Sequence, residues 1–330
     1  MQVNWPRICI SASMVSECRI SPPGSLHLVT RRTVQGQFLI RPDESINQNF
    51  LYCLGYASQK HGVDIHAASF LSNHSHIALT DCRGDCLPEF TRDFFSLTAR
   101  SINAYHGRSE SLWGPDRPNC VLLAPFASDV VDKLAYVITN PVEAELVSHS
   151  RKWPGVLLRP GDSSTEILEI ERPEFFYRLE GDLPPQVSLR LSLPEVRNAD
   201  RETIGQRLDA EVQSREKAIR QRVRAAGRSF LGAKAVKKRA IHSQPSEELP
   251  TRQLIPTVAC HDRDLRKTLL EWKRARQNRY DELRKALEDR ARELSSTIFP
   301  MGTYGLWRWY GFEREAWEGC FWSMIISKIP

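Results

Sequence analysis

The sequence predicts an α+β fold followed by a mainly helical C-terminal extension, and three observations carry this prediction. Up to about residue 160, short apolar runs that alternate like β-strands are interleaved with longer runs whose apolar residues recur at helical spacing. Their order is strand, helix, strand, strand, helix, strand and a further helix. Beyond residue 200 the chain is highly charged and helical in its periodicity. This order is typical of the ferredoxin-like split βαβ arrangement, an antiparallel sheet with helices on one face.

The first half of this order has clear local boundaries. Residues 26–32 alternate as a first strand. Asp43 is placed to cap a helix over residues 44–61, and the glycine that follows ends it. Residues 63–70 and 76–80 are predicted to be the second and third strands, joined by a short turn.

The second half repeats the pattern with a longer loop. Residues 87–105 are predicted to form the second helix and residues 120–124 the fourth strand. The third helix is expected to be capped by Ser128 or Asp129. We expect it to end near Asn140–Pro141, because a residue before proline is disfavoured in helical conformation.

Four polar side chains are predicted to meet at one end of the sheet. His74 and His76 project from the same face of the third strand, while Ser75 between them faces the other way. Tyr136 and Asn140 are four positions apart and therefore share one face of the third helix. Strands one and three are the central pair in this topology, so the histidines begin a middle strand. A helix that follows strand four can cross the open end of the sheet beside them.

Composition limits the class of protein. The 330 residues are 41% hydrophobic and 26% charged, with a net charge of +6, which favours polyanionic partners. The eight cysteines are scattered, and the only close pair, Cys82 and Cys86, is a poor zinc signal, so reduced thiols of a cytoplasmic protein are expected. No apolar run approaches the roughly 20 residues of a membrane span, and residues 1–21 do not have the pattern of a secretory signal. We therefore expect a cytoplasmic protein with no membrane partner.

Several motifs together carry a family resemblance. An N-H-x-H motif spans residues 73–76, and a Y-[IV]-x-x-N-P-V motif spans residues 136–142. Leu112-Trp113-Gly114 precedes the fourth strand, and Trp153-Pro154 follows the third helix. Over residues 25–160 the chain resembles the REP-associated tyrosine transposases of the single-tyrosine HUH transposase superfamily. It departs from that pattern at Ser75, where a bulky apolar residue is usual, and in the length of its C-terminal part.

The resemblance implies a chemistry and a set of residue roles. Tyr136 would be the nucleophile, and His74, His76 and the amide oxygen of Asn140 would hold Mg²⁺ or Mn²⁺. The substrate would be single-stranded DNA, often with a hairpin, and the product a 5′-phosphotyrosine intermediate that a 3′-hydroxyl can reverse. Whether the site is completed within one chain or across a homodimer stays open. Ser75 points away from the metal, so its smaller side chain is expected to weaken packing behind the site without loss of ligation.

Further side chains are candidates for contact with DNA, namely basic residues near the strands and an aromatic residue that could stack on bases. The candidates are Arg31, Arg32, Arg92, Arg100, Arg108 and Trp113. Three other histidines near the strands, His27, His61 and His66, could support the ligands from behind, but are expected to be exposed to solvent.

The chain divides into four predicted regions. Residues 1–24 are a leader, and residues 25–160 are the catalytic domain. Residues 161–200 are a linker with short elements, and residues 201–330 are a basic helical extension. In that extension residues 215–239 carry ten basic side chains against one acid, which is typical either of a solvated helix face or of a DNA-binding arm.

Three alternatives to a transposase remain at this stage. A relaxase or rolling-circle initiator would use the same chemistry, but a second catalytic tyrosine or a third histidine ligand is not evident. A non-catalytic nucleic-acid binding protein could keep a vestigial site on the same sheet. A metal-dependent hydrolase is disfavoured, because no aspartate or glutamate is in clear register with the two histidines.

Overall fold

A computed structural model describes residues 20–161, 166–175, 177, 180–245, 256–289 and 320–327 of the chain. The strands are β1 (Ser25–Arg32), β2 (Val63–Phe70), β3 (His74–Asp81), β4 (Asn119–Leu123), β5 (Leu157–Leu158), β6 (Glu166–Glu171), β7 (Gln186–Leu191) and β8 (Val258–Ala259). The α-helices are α1 (Glu44–His61), α2 (Leu87–Tyr105), α3 (Ala127–Glu143), α4 (Arg201–Ala225), α5 (Ala233–Lys238), α6 (Arg263–Asp289) and α7 (Phe321–Ile326).

The predicted α+β fold is confirmed. Strands β2, β3, β1 and β4 form an antiparallel core in that order, so β3 and β1 are the central pair. Both strands of the central pair therefore have neighbours on each side. The register pairs Arg32 with His74 and Thr30 with His76, so these four side chains lie at one end of the sheet.

The later part of the chain adds strands to both edges of this core. Residues 166–191, predicted to be a linker and short elements, contribute β6 and β7, and β8 extends the other edge. The predicted antiparallel pairing holds for the four core strands, whereas at these added edges β7 pairs with β2 and β8 pairs with β4 in parallel. Parallel pairing is possible there because long stretches of chain separate the paired strands.

The sheet carries helices on both faces, not on one as predicted. Helices α1 and α2 pack against the face that bears Val29 and Ile77. Helices α3 and α4 pack against the opposite face, which bears Leu28 and Ala78. The central strands carry apolar side chains on both faces of the sheet, so each face must be covered to remove its apolar surface from water.

The ends of two helices show how far local signals determine boundaries. The Asp43 side chain accepts a hydrogen bond from the backbone of Ile46, and Gly62 ends α1 with φ 66°, both as predicted. The predicted cap of α3 is wrong: its N-cap is Phe126, and Asn198, just before α4, accepts a hydrogen bond from the Ala127 backbone.

The predicted end of α3 is also wrong. The helix continues through Pro141 to Glu143, although proline supplies no backbone N–H to the carbonyl one turn earlier. Val142 is fully buried in a cluster with Leu71 and Trp153. Burial of this last turn offsets the lost hydrogen bond, since one buried valine is worth about 1.5–3 kcal/mol.

The extension contributes two further apolar clusters. Helix α4 lies along α3 through Ile204, Leu208 and Val212. Helix α6 packs with α7 and β8, where Trp322 is buried. Trp307, Trp309 and Trp317 lie outside the described residues. No helix in the described part of the chain is long and apolar enough to cross a bilayer.

Candidate active site

The two histidines of β3 are anchored through one ring nitrogen each. Nδ1 of His74 lies 2.8 Å from Oδ1 of Asn73, and Nδ1 of His76 lies 2.8 Å from Oγ1 of Thr30. The rings are edge-to-face with their centroids 5.0 Å apart. Because each Nδ1 meets a hydrogen-bonding group of the sheet, the two Nε2 atoms turn toward α3.

Helix α3 brings the predicted tyrosine and asparagine to the histidine pair. Oδ1 of Asn140 lies 3.0 Å from Nε2 of His74, and Nδ2 of the same amide lies 3.4 Å from Nε2 of His76. The Tyr136 hydroxyl lies 3.5 Å from Nε2 of His76. The structure thus assembles all four side chains from β3 and α3 of one chain.

Burial keeps both imidazoles neutral. Together with the positive charge of Arg32, and against the opposing effect of the Asn140 hydrogen bond, it lowers the pKa of His74 to about 4. Burial also holds the pKa of His76 well below its usual value, with contributions from His74 and Arg32. Neutral imidazoles have a free lone pair on one nitrogen and can act as metal ligands near pH 7.

The hydrogen bonds of His74 fit a bound cation. A neutral imidazole has one N–H, yet the His74 ring faces oxygen acceptors at both nitrogens, Asn73 and Asn140. If Nδ1 donates to Asn73, the lone pairs of His74 Nε2 and Asn140 Oδ1 converge on one point. A cation between them relieves the repulsion, as does rotation of the Asn140 amide. The described residues contain no group of three or more His, Cys, Asp or Glu side chains with metal-site geometry, so the candidate ligands are two imidazoles and an amide.

Tyr136 is partly shielded and electrostatically balanced. The residue is 37% exposed, so water reaches part of its side chain, and its ring is edge-to-face with His76 at 5.1 Å. Partial burial raises the pKa of the phenol; Arg32 opposes this rise and Glu143 adds to it. Arg32 is therefore the described cation that most directly favours the phenolate.

These residues open onto a cleft of about 780 Å³ between α3 and the β1–β4 side of the sheet. Tyr136 is the one tyrosine among the described residues that line it. The basic residues that line the cleft are Arg31, Arg32, Arg117, Lys133 and Arg266. The position of Arg32 beside the histidines agrees with its prediction as a DNA contact, and that role stays a prediction.

Two of the other predicted DNA contacts are placed differently. Trp113 is 3% exposed, and its Nε1 donates to the carbonyl of Phe95, so the expectation of an exposed stacking residue is wrong. The indole fills the space beside Phe95, on the face opposite the histidine pair. The guanidinium of Arg31 lies over the Phe95 and Trp113 rings at 5.0 and 5.8 Å, on that same face and away from the histidine pair.

The remaining predicted arginines do not line the cleft. Arg92 and Arg100 are exposed on α2, and Arg92 is paired with Asp93. The Arg108 side chain is 11% exposed and lies 3.8 Å from Glu110 and 3.2 Å from His242. None of these three arginines contributes to the tyrosine–histidine cleft.

The expectation that three further histidines are exposed is wrong. His27, His61 and His66 are all buried. His66 bridges the Ser192 carbonyl and the Thr80 hydroxyl at 2.6 and 2.7 Å. Sequence alone does not reveal these partners, because Ser192 is more than one hundred residues away along the chain.

The basic run has two distinct halves. Three of its arginines pair with acids on α3 and just beyond it: Arg215 with Asp132, Arg222 with Glu143 and Arg228 with Glu145. Four exposed lysines in the same run form no ion pair within the described chain; they are Lys217, Lys234, Lys237 and Lys238. The first half therefore holds α4 against α3. Neither a solvated helix face nor a DNA-binding arm, the two interpretations of this run, predicted that role.

The comparisons with known proteins add one likeness. No protein-family model matches the chain, and no curated protein sequence matches it. A solved structure of a REP-associated tyrosine transposase bound to a REP hairpin is similar to it, with a TM-score of 0.36 and 19% sequence identity. The similarity covers 43% of this chain and 81% of that chain. At this level the likeness carries no functional argument, so the function is argued from the geometry of the site.

Proposed function

We propose that this chain is a transposase that cleaves and rejoins single-stranded DNA through a 5′-phosphotyrosine intermediate at Tyr136. One observation carries the proposal: the Tyr136 hydroxyl lies within 3.5 Å of His76 Nε2, beside an amide that contacts both histidines. A phenol and two neutral imidazoles in one cleft, with an amide oxygen against the imidazoles, are the groups needed for nucleophilic attack on a phosphodiester.

The donor set fits a divalent cation, Mg²⁺ or Mn²⁺, held by Nε2 of His74, Nε2 of His76 and Oδ1 of Asn140. Such a cation would supply Lewis-acid polarisation of the scissile phosphate. Asn73 and Thr30 hold the Nδ1 atoms and so orient both imidazoles before any ligand binds.

The reaction of the chain's own residues is a reversible exchange of phosphate esters. The Tyr136 phenol gives its proton to solvent, which reaches the partly exposed side chain, and its oxygen forms a bond to phosphorus. The bond from phosphorus to the 3′-oxygen breaks, and that oxygen takes up a proton. One phosphodiester replaces another, so a free 3′-hydroxyl can reverse the step without ATP.

The charge around the cleft supports a DNA substrate. Arg32 lies beside the histidines and favours both the phenolate and a bound phosphate. Helix α5 carries Lys234, Lys237 and Lys238 and is seated by Val236 in the same cluster as Leu71 and Val142. Those two apolar residues lie just before β3 and at the end of α3, so the exposed lysines lie near the histidine end of the sheet.

The test is a covalent adduct on a denaturing gel. A pool of hairpin-bearing single strands with randomised flanks is incubated with the protein and Mn²⁺ or Mg²⁺. A 5′-phosphotyrosine retains the downstream fragment, so a 3′-end label should shift with the protein while a 5′-end label should not. Tyr136→Phe should abolish the adduct, whereas Tyr105→Phe, which changes a tyrosine that is 41% exposed on α2, should not.

Each outcome decides between functions. An adduct that survives Tyr136→Phe would refute the nucleophile. Binding of the pool without any adduct in either metal would favour a non-catalytic nucleic-acid binding protein with a vestigial site.

A further inference from the structure

The cleft continues past Tyr136 into a region built by the C-terminal extension. Strand β8 pairs with β4, and Pro256, Val258, Ala259 and Cys260 form part of the cleft wall. The split βαβ core alone would leave this edge of the sheet open. The extension therefore lengthens the cleft beyond the tyrosine–histidine site.

A histidine at the far end of this cleft is held by a buried acid. Nδ1 of His261 lies 2.8 Å from Oδ1 of Asp129, and the same oxygen accepts the His261 backbone N–H at 2.6 Å. The Asp129 side chain is only 5% exposed, while that of His261 is 61% exposed. The buried carboxylate thus fixes the ring through Nδ1 and leaves Nε2 on the exposed side of a residue that lines the cleft.

An arginine lies at this end of the cleft. Arg266, in the first turn of α6, is exposed, lines the cleft and has no carboxylate within ion-pair distance among the described residues. Arg117 also lines the cleft, but it comes just before Asn119, which pairs with Thr30 beside His76, so it lies at the histidine end. Of the acids in the same wall, Asp129 is engaged by His261, and Asp132 is paired with both Lys133 and Arg215. Asp116 is the remaining carboxylate, so the accessible charge is predominantly positive.

The spacing along α3 relates this end to the tyrosine. Asp129 and Tyr136 are seven residues apart on one helix, which corresponds to about 10 Å. A stacked strand advances about 3.4 Å per nucleotide, so this distance corresponds to about three nucleotides. A single strand whose scissile phosphate meets Tyr136 would pass His261 within that length if it follows the cleft.

We propose that His261 and Arg266 form a subsite that binds the sugar-phosphate backbone of the single strand on one side of the scissile phosphate. This inference rests on the proposed function. Arg266 contacts a phosphate oxygen, and His261, oriented by Asp129, contacts the strand beside it. The extension thereby contributes to substrate binding rather than to the reacting atoms.

The test is a length series measured by fluorescence anisotropy, which requires no cleavage. Labelled single strands that share one anchoring segment are extended by zero to six nucleotides on either side. With the wild-type protein, affinity should rise on extension of one side by about three nucleotides. Arg266→Gln should lose most of that gain, by about fivefold at low salt, and should lower the slope of log affinity against log salt by about 0.7 for one cation. His261→Gln should lose part of the gain.

The control changes the same residue type on the same helix. Arg263→Gln alters an exposed arginine of α6 that does not line the cleft, and it should leave the whole length series unchanged. Equal losses for the shortest and longest strands in Arg266→Gln, or an equal loss in Arg263→Gln, would overturn the subsite. Length-dependent binding with no adduct would retain the subsite and refute the catalytic function.

Discussion

Replacing His66 with glutamine should make the stability of the protein less sensitive to acid. Burial lowers the pKa of His66 to about 4 and that of His27 to about 3, from the usual 6.5. The unfolded chain therefore binds more protons than the folded chain between about pH 4 and 6.5, so stability is lost as pH falls through this window. Above pH 7 both states are neutral at these residues and stability does not change on their account.

The size of the effect follows from the shifts. Each such histidine contributes a slope of about 1.4 kcal/mol per pH unit within the window. At pH 5 each histidine has lowered the free energy of unfolding by about 2 kcal/mol, or by about 4 kcal/mol for the pair. A typical total free energy of unfolding is about 5–15 kcal/mol. Glutamine at position 66 can still donate to the Ser192 carbonyl and accept from the Thr80 hydroxyl, so the fold should survive the change.

Urea unfolding of the metal-free protein in EDTA, repeated from pH 7.5 to 5.0, measures this slope. His66→Gln should lose about 2 kcal/mol less than the wild type over that range. His242→Gln, at an exposed histidine after α5, should behave like the wild type. An identical pH dependence in His66→Gln and wild type would refute the argument that a neutral buried imidazole makes the fold acid-sensitive.

Two further predictions concern the cleft and the arm. Arg32→Gln should slow adduct formation about tenfold near pH 7 and move the pH–rate profile to higher pH, because loss of the positive charge raises the pKa of the Tyr136 phenol. Arg92→Gln, on α2, is its control, and an unshifted profile in Arg32→Gln would contradict the electrostatic role. Changing Lys234, Lys237 and Lys238 to glutamine should weaken binding of single-stranded DNA. The slope of log affinity against log salt should fall by about 2, as measured by anisotropy titrations between about 50 and 200 mM salt. Lys60→Gln, a lysine paired with Asp93, should leave the slope unchanged, and a loss in that control would indicate a non-specific charge effect.

Much of the core could be predicted because its signals are local. The Asp43 cap and the glycine after α1 define that helix from a few neighbouring residues. The alternation of β3 and the four-residue spacing of Tyr136 and Asn140 determine which side chains share a face. The order of strands then brings the histidine face of β3 to the tyrosine face of α3, so the sequence alone predicts that Tyr136 meets the histidine pair.

The errors arise where a partner is distant in sequence. An aromatic side chain such as that of Trp113 could stack on bases if it were exposed, but packing against Phe95 and Arg31 buries it. The α3 cap comes from Asn198, and the extra turn after Pro141 depends on the burial of Val142 among residues of other elements. No local pattern contains these partners, so the sequence misplaced both ends of α3.

The sequence by itself determined the order of the core elements and the pairing of an aromatic nucleophile candidate with two neighbouring histidines, because periodicity and spacing are properties of consecutive residues. Only the tertiary structure decided what the extension does. Arg215 and Arg222 hold α4 against the tyrosine helix, and His261 is fixed by Asp129 in the same cleft. These contacts join residues about 80 to 130 positions apart, and their formation depends on which surfaces remain to be covered once the sheet has formed.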